Sequence, residues 1–368
     1  MNDKIDNAKT MADGSEGRRT KSSRRAVMKK ALPWVVNICR LLLAVTFLFS
    51  GFVKANDPLG TSYKLQDYCA AVGLENVNDW LTLVASVALS FVEFSLGVCL
   101  LMGLNRRFVA TCTTVFMAVM TVVTLWLAVT DAVTDCGCFG DALLLTNQQT
   151  FVKNLILLGA SLIVLRWNRL QKRFISENSA WLVSTPAMVG ILLYAFHCIY
   201  HLPVIDFRPY HVGADLVKLR EEPVLNSRMT YKLHELDVID LFIVDAETEE
   251  DVTDSVLYRK GYTFLLVAPD LTKADEGCAG SINMIYDYAE QHGVGFFCLT
   301  ASNAEAQNHW TDYTGAEYRF YLADDRTLKT MVRANPGLIL LKDGKVMKKW
   351  SNWNLPEEGE NEEMEKDN

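Results

Sequence analysis

Trp34-Val35-Val36-Asn37-Ile38-Cys39-Arg40-Leu41-Leu42-Leu43-Ala44-Val45-Thr46-Phe47-Leu48-Phe49-Ser50-Gly51-Phe52-Val53 decides what kind of protein this is. A helix of about twenty apolar residues rises about 30 Å, the thickness of a bilayer's hydrocarbon core. Four more apolar runs follow: Trp80–Gly103, Phe108–Thr130, Phe151–Trp167 and Trp181–Leu202. The fourth run is short, but Gln148 and Gln149 extend it by a turn into the interface. The first run has no small-residue cleavage site after it, so it reads as a retained anchor rather than a signal peptide.

Composition agrees. Of 368 residues, 50% are hydrophobic, too many for an ordinary soluble chain with a charged tail. The net charge of −8 is unevenly spread. Arg18, Arg19, Lys21, Arg24, Arg25, Lys29 and Lys30 make the N-terminus basic, whereas Glu357–Asn368 is acidic and reads as a solvated, disordered end. No basic stripe with interleaved aromatics occurs, which argues against nucleic acid as a partner.

The charges between the apolar runs set an orientation. The basic N-terminus, the Arg106-Arg107 connection and the Arg166/Arg169/Lys172/Arg173 connection fall on one side. The Lys54–Asp79 and Cys136–Thr150 loops, acidic or neutral, fall on the other. By the positive-inside rule the N-terminus is cytoplasmic, and everything after Leu202 is on the opposite face, where disulfides form. The expected location is a bacterial inner membrane, with the lipid bilayer as first partner and a periplasmic C-terminal domain.

Past the third run comes Asp135-Cys136-Gly137-Cys138-Phe139-Gly140. Two cysteines around one glycine close on each other only through a tight ring, and such disulfides are labile rather than structural. The stretch predicts thiol chemistry at a membrane surface; a glycine turn with two buried thiols, or half a metal site, is the plainer alternative. Cys69, in the first loop on the same side, is a candidate resolving partner. Cys39, Cys99, Cys112 and Cys198 lie within the apolar runs and read as small packing residues.

From about residue 237 the pattern turns to that of an α/β domain. Tyr262–Ala268 and Val294–Thr300 read as buried strands. Ser281–His292 reads as a helix with Ile282, Ile285 and Ala289 on one face, and 303–313 as a second helix. Leu338–Leu341 and Val346–Trp350 flank Asp343-Gly344, a preferred hairpin turn. This order resembles a thioredoxin-like fold. The resemblance puts Cys278, in Cys278-Ala279-Gly280-Ser281, at the redox position, where exposed helix amides lower a thiol's pKa. It also implies a cis-proline at Pro336, facing that cysteine. Ser281 stands where the usual second cysteine would be, so Cys278 forms mixed disulfides or belongs to a degenerate binding domain. Cys298, mid-strand, reads as core.

Residues from about 34 to 168 resemble the DoxX/MauE family of redox-associated four-helix membrane proteins. The matching pieces are Arg40; Ser50-Gly51 with Lys54; Glu93 with Gly97; and Cys136-Gly137-Cys138-Phe139-Gly140. The resemblance implies a part in maturing disulfide-rich periplasmic proteins, or, on the DoxX side, quinone-coupled sulfur oxidation. Some relatives carry a fifth helix and a thioredoxin-like tail. Arg40 and Glu93 lie inside apolar runs, where an unpaired charge is costly, so they read as an intramembrane ion pair. A proton or quinone site is the functional alternative. His197 and His201 share one helical face, with His211 nearby, but nothing completes a metal set and no metal is assigned.

The expected organisation is a disordered basic N-terminus (1–32), a four-helix DoxX/MauE-like domain (33–168), a fifth transmembrane helix (181–202), an extended linker (203–236), a thioredoxin-like domain (237–355) and an acidic tail (356–368). The expected function is thiol–disulfide exchange with periplasmic clients through mixed disulfides. Cys136, Cys138 and Cys278 would be the reacting thiols, with Cys69, Ser281 and Pro336 in support; whether this is an enzyme, a thiol-disulfide oxidoreductase, stays open. The rivals are a non-catalytic membrane assembly factor with a degenerate thioredoxin-like domain, and a quinone-linked subunit, the one reading that takes a cofactor.

Overall fold

The structure is a computed structural model and describes residues 3–74, 77–133, 136–221 and 241–356. Its helices begin with α1 (Asp3–Asn56), α2 (Pro58–Ala71), α3 (Asp79–Met102), α4 (Arg106–Thr130), α5 (Asn147–Arg166) and α6 (Glu177–His201). Among the described residues five helical stretches are long and apolar enough to cross a membrane: Lys30–Asn56 of α1, then α3, α4, α5 and Ser179–His201 of α6. The chain packs as two units, one of 1–52, 89–138 and 146–191, the other of 53–88, 139–145 and 192–368.

In the first unit Leu43, Ala44 and Phe47 of α1 pack with Leu100 of α3, Val109 and Met117 of α4, and Leu157 and Val164 of α5. Phe47 meets Phe116 edge to face. Val115, Val119, Val122 and Leu125 of α4 stay exposed, an apolar stripe suited to lipid. Close packing of α1 on α3 depends on two glycines. A Cβ on Gly51 would lie 2.5 Å from the Phe94 amide nitrogen, and one on Gly97 2.7 Å from that of Leu48. Helices approach this closely only through small residues. Helix α5 starts at Asn147 through a capping box between Thr146 and Gln149, the extra turn that Gln148 and Gln149 suggest.

The N-terminal stretch differs from expectation. Residues 1–32 read as disordered, yet α1 begins at Asp3. This stretch is rich in Ala, Lys and Arg, good helix formers, and it runs without a break into the apolar span.

In the second unit α7 (Leu216–Glu221), β1 (Val244–Asp245), α8 (Thr253–Leu257), β2 (Tyr262–Ala268), α9 (Ala279–His292), β3 (Gly295–Thr300), α10 (Ala304–Thr314), β4 (Phe320–Leu322), α11 (Asp325–Met331), β5 (Gly337–Lys342) and β6 (Lys345–Ser351) follow in order. The sheet order is β1-β4-β3-β2-β5-β6. Strands β2, β3 and β4 run parallel, whereas β5 lies antiparallel beside β2 and β6 beside β5. That is a thioredoxin-like arrangement. Side chains on β2 alternate between two cores, as the strand period of two requires. Phe264, Leu266 and Ala268 meet Ile282, Ile285 and Ala289 of α9 and Trp310 of α10. Leu265 and Val267 meet Leu328 and Met331 of α11 and Val256 and Leu257 of α8. Asp343 (φ 50) and Gly344 (φ +76) make the β5–β6 turn with both residues left-handed, as a tight hairpin asks.

The linker expected over 203–236 is not simply extended. Tyr210, Ala214 and Leu216 are buried in the second core, and the Asp215 backbone pairs antiparallel with that of Lys345. These side chains give the stretch apolar area to bury, so it packs as part of the domain. Residues 222–236 of the expected linker, residues 357–368 of the expected tail and Asp135 lie outside the described residues.

Candidate functional site

Helix α4 ends at Asp131, whose left-handed backbone stops it. The Asn147 side-chain amide, at the start of α5, donates to the Asp131 carboxylate (3.1 Å) and the Val133 carbonyl (2.8 Å). Those bonds anchor the loop that carries Cys136 and Cys138. Gly137 sits at φ +61, a conformation a residue with a Cβ rarely takes. The turn it makes puts Cys136 Sγ 2.8 Å from Cys138 Sγ. Cys136 is buried and Cys138 half-buried. The Ser50 hydroxyl donates to the Cys138 carbonyl at 2.6 Å, so two pieces of the sequence motif, 88 residues apart, meet at the thiol pair. Gly51 and Gly97 serve helix packing, as their contacts require. Lys54 and Glu93 are both buried, and Gly140 (φ +50) turns the chain into a short helical stretch after Phe139.

The expected pairing of Arg40 with Glu93 is not what the fold builds. Gly51 against Phe94 and Leu48 against Gly97 fix an antiparallel register. That register sets Glu93 level with Phe52 and Arg40 level with the Gly103 turn, about 18 Å apart along α1. The Arg40 guanidinium instead donates to the Lys172 carbonyl and lies over the Phe174 ring, 5.1 Å from its centre. One turn earlier, the Asn37 carboxamide accepts from the Lys172 amide (2.9 Å) and donates to the Leu170 carbonyl (3.2 Å). Arginine's reach lets it leave the span for the Lys172 carbonyl, while its Nε stays buried without a hydrogen-bond partner.

In the second unit Cys278 is the N-cap of α9 and is buried. Its Sγ–H donates to the Asp275 carbonyl at 3.0 Å. The Asp275 amide in turn donates to the Asn335 carbonyl (3.0 Å), tying the cysteine loop to the cis Asn335–Pro336 bond. Ser281, half-buried, sits on the first turn of α9. Burial and then the neighbouring Asp275 carboxylate push the Cys278 thiol up to about 12. This reverses the expected effect of a helix start. Partial charges at a helix end act within one turn, and here desolvation and a like charge outweigh them. Cys69, half-buried on α2, belongs to the same unit as Cys278, whereas Cys136 and Cys138 belong to the other.

The second unit also holds a charged cluster that the sequence did not announce. The Arg333 guanidinium, two residues before Asn335, donates through Nε to both Asp57 oxygens at 3.1 and 3.0 Å. It also reaches Asp141 at 3.4 Å, donates to the Lys329 carbonyl and lies over Tyr63. Asp57 caps α2 by accepting from the Gly60 amide. A Cβ on Gly60 would run into the Asp57 carboxylate and the Arg333 guanidinium, so a larger residue there would push these side chains aside. Burial pushes the Asp57 carboxyl up, but Arg333, Arg208 and the Gly60 amide outweigh it and hold the carboxyl below its ordinary range. Beside it Arg208 bonds Asp206 (2.8 Å) and the Thr330 carbonyl (3.2 Å), and Lys349 bonds Asp206 (2.8 Å). Burial first, then Arg208, brings the Lys349 ammonium down to about 8. Asp57-Pro58, an acidic cap followed by proline at a helix's first position, was the one local signal for α2.

The His197 and His201 rings lie tilted to each other on α6, their centres 4.8 Å apart; among the described residues no group of three or more His, Cys, Asp or Glu gathers for a metal.

Five apolar spans and the mixed sheet define a multi-pass membrane protein with a thioredoxin-like C-terminal domain. Residues 32–167 match the model of the family described as Methylamine utilisation protein MauE. The first four spans are thus MauE-like; the fifth span and the thioredoxin-like domain lie beyond the matched stretch. No curated protein and no solved structure matches the chain.

Proposed function

We propose that this protein is a membrane-bound thiol–disulfide exchange protein whose working pair is Cys136 and Cys138. The 2.8 Å approach of the two sulfurs across Gly137 carries the reading. A bond between them needs only a small further closure, towards about 2.05 Å. Cys138, the less buried thiol, attacks one sulfur of a client disulfide; that bond breaks and one client thiolate leaves. Cys136 then attacks the Cys138 sulfur, closing the pair and releasing the second client thiolate. Two electrons pass to the client and two protons leave the pair; the reverse sequence oxidises a client dithiol. The distribution of Arg and Lys between the spans supports a periplasmic face for the pair and for the thioredoxin-like domain. In this reading the domain recognises the client, and its own thiol stays protonated.

The test is maleimide labelling in intact cells, before and after reduction, with Cys136→Ser to block resolution. Labelling of the pair only after reduction, together with a trapped adduct on Cys138 in the variant, is the expected result. Free labelling of both thiols with no adduct would remove the exchange reading. A second reading, a non-catalytic assembly factor, draws on one observation: the burial that keeps Cys278 protonated. Function surviving replacement of Cys136, Cys138 and Cys278 together would favour it.

A further inference from the structure

Helix α6 crosses the membrane and ends at His201, and the next residue, Leu202, takes φ +77. The chain there doubles back. The Asn56 carboxamide, at the end of α1, donates to the Ile205 carbonyl at 2.7 Å and accepts from the Ile205 amide at 3.1 Å. The same side chain accepts from the Tyr194 hydroxyl at 2.8 Å, almost two turns before the end of α6. Ile205 is therefore level with the last residue of one span and tied to the flank of another. On this returning segment Asp206 turns inward to Arg208 and Lys349, while Val204, Ile205 and Phe207 are exposed.

The other end of the domain meets the same helix six residues nearer its end. The Ser351 hydroxyl donates to the Tyr200 carbonyl at 2.7 Å, and the Tyr200 and Trp353 rings meet edge to face at 5.2 Å. Tyr200 is in the last turn of α6, yet Trp353 is 63% exposed. A tryptophan left open beside the final turn of a membrane span is a costly placement in water. It is a favourable one among lipid headgroups, where the indole buries its ring and keeps its N–H wet.

We propose that Tyr200, Val204, Ile205, Phe207 and Trp353 form an apolar collar immersed in the bilayer interface, on the side where the thioredoxin-like domain emerges. The occupant is lipid rather than a protein partner because the patch continues the exposed apolar surface of Leu193 and Phe196 on α6. Contact at two points, the returning segment and the β6 end, restrains how the domain tilts on the membrane. This inference does not depend on the thiol chemistry.

The experiment is fluorine NMR on the full chain, labelled with fluorotryptophan at its eight tryptophans, in lipid nanodiscs. Trp353→Phe assigns one resonance, with Trp353→Tyr as a second assignment; the position is exposed, so both changes leave the cores intact. A lipid spin-labelled near its headgroup should abolish the Trp353 line, while a soluble gadolinium chelate should leave it sharp. Trp310, 2% exposed within the sheet's helical face, should feel neither agent. Loss of the Trp353 line to the chelate alone would put it in water and overturn the proposal. Indifference to both agents would mean a protein covers it, which overturns the proposal equally.

Discussion

Arg333 and Asp57, 276 residues apart, form a two-oxygen ion pair in which the arginine side chain is 8% exposed. The pair joins the cap of α2 to the stretch that leads into the cis Asn335–Pro336 bond, and Asp141 and Tyr63 complete the arginine's surroundings.

Removing one partner of a buried pair leaves the other charge unpaired, at about 3–5 kcal/mol. Arg333→Met should lower thermal stability of the full chain in nanodiscs by that order. Arg333→Lys should recover only part, since one ammonium cannot hold Asp57, Asp141 and the Lys329 carbonyl as the guanidinium's separate nitrogens do. Arg333→Met combined with Asp57→Asn should lose less than the two changes separately. Strict additivity of the two would mean the pair is not coupled.

Asp57 also sets an acid limit. Its folded carboxyl titrates below the ordinary 3.8, so the folded state binds its proton less readily than the unfolded chain. The stability it contributes is complete above 3.8 and is lost as pH falls through the lower folded value. The advantage of the native chain over Asp57→Asn should shrink as melts are repeated from pH ~6 down to ~2. A constant gap across that range would contradict the assignment.

Helix packing in the first unit gives a sharper contrast. Gly51→Ala and Gly97→Ala put a methyl where the backbone of Phe94 or Leu48 lies, and overpacking of this kind costs about 1–3 kcal/mol. Gly159→Ala on α5 meets nothing within 4 Å and should be neutral or stabilising. Equal melting temperatures for all three variants in detergent would rule out the close α1–α3 approach.

Cys138 and Cys278 should differ in reactivity. A thiol at about 12 is ionised to roughly one part in 100,000 at pH 7, and alkylation needs the thiolate. After reduction, iodoacetamide should modify Cys138 well before Cys278, and the Cys278 rate should keep climbing with pH. Asp275→Asn removes a neighbouring negative charge and should speed it. Equal rates for the two cysteines at neutral pH would show that Cys278 is neither buried nor suppressed.

Much of the fold was legible because long apolar runs and buried strands advertise themselves locally. The five spans, the β2, β3 and α9 stretches and the Asp343-Gly344 hairpin all appeared where periodicity put them. Short elements escaped: β1 is two residues and β4 three, too few for a period to register. Arg40 was misassigned because a sequence shows which charges enter a span but not the level at which two helices meet. Two glycine contacts fixed that level and sent Arg40 to the Lys172 carbonyl.

The sequence by itself determined that the chain crosses a membrane several times, ends in an α/β domain and places two cysteines around a glycine. Those features follow from hydropathy, side-chain period and backbone freedom, all properties of neighbouring residues. Only the tertiary structure decided that Ser50 holds the Cys138 carbonyl, that Asp57 belongs to Arg333, and that Cys278 is protonated where a helix start alone would ionise it. Each of these depends on which distant group arrives and how much water it displaces, and the energies of burial and charge pairing are set by that company.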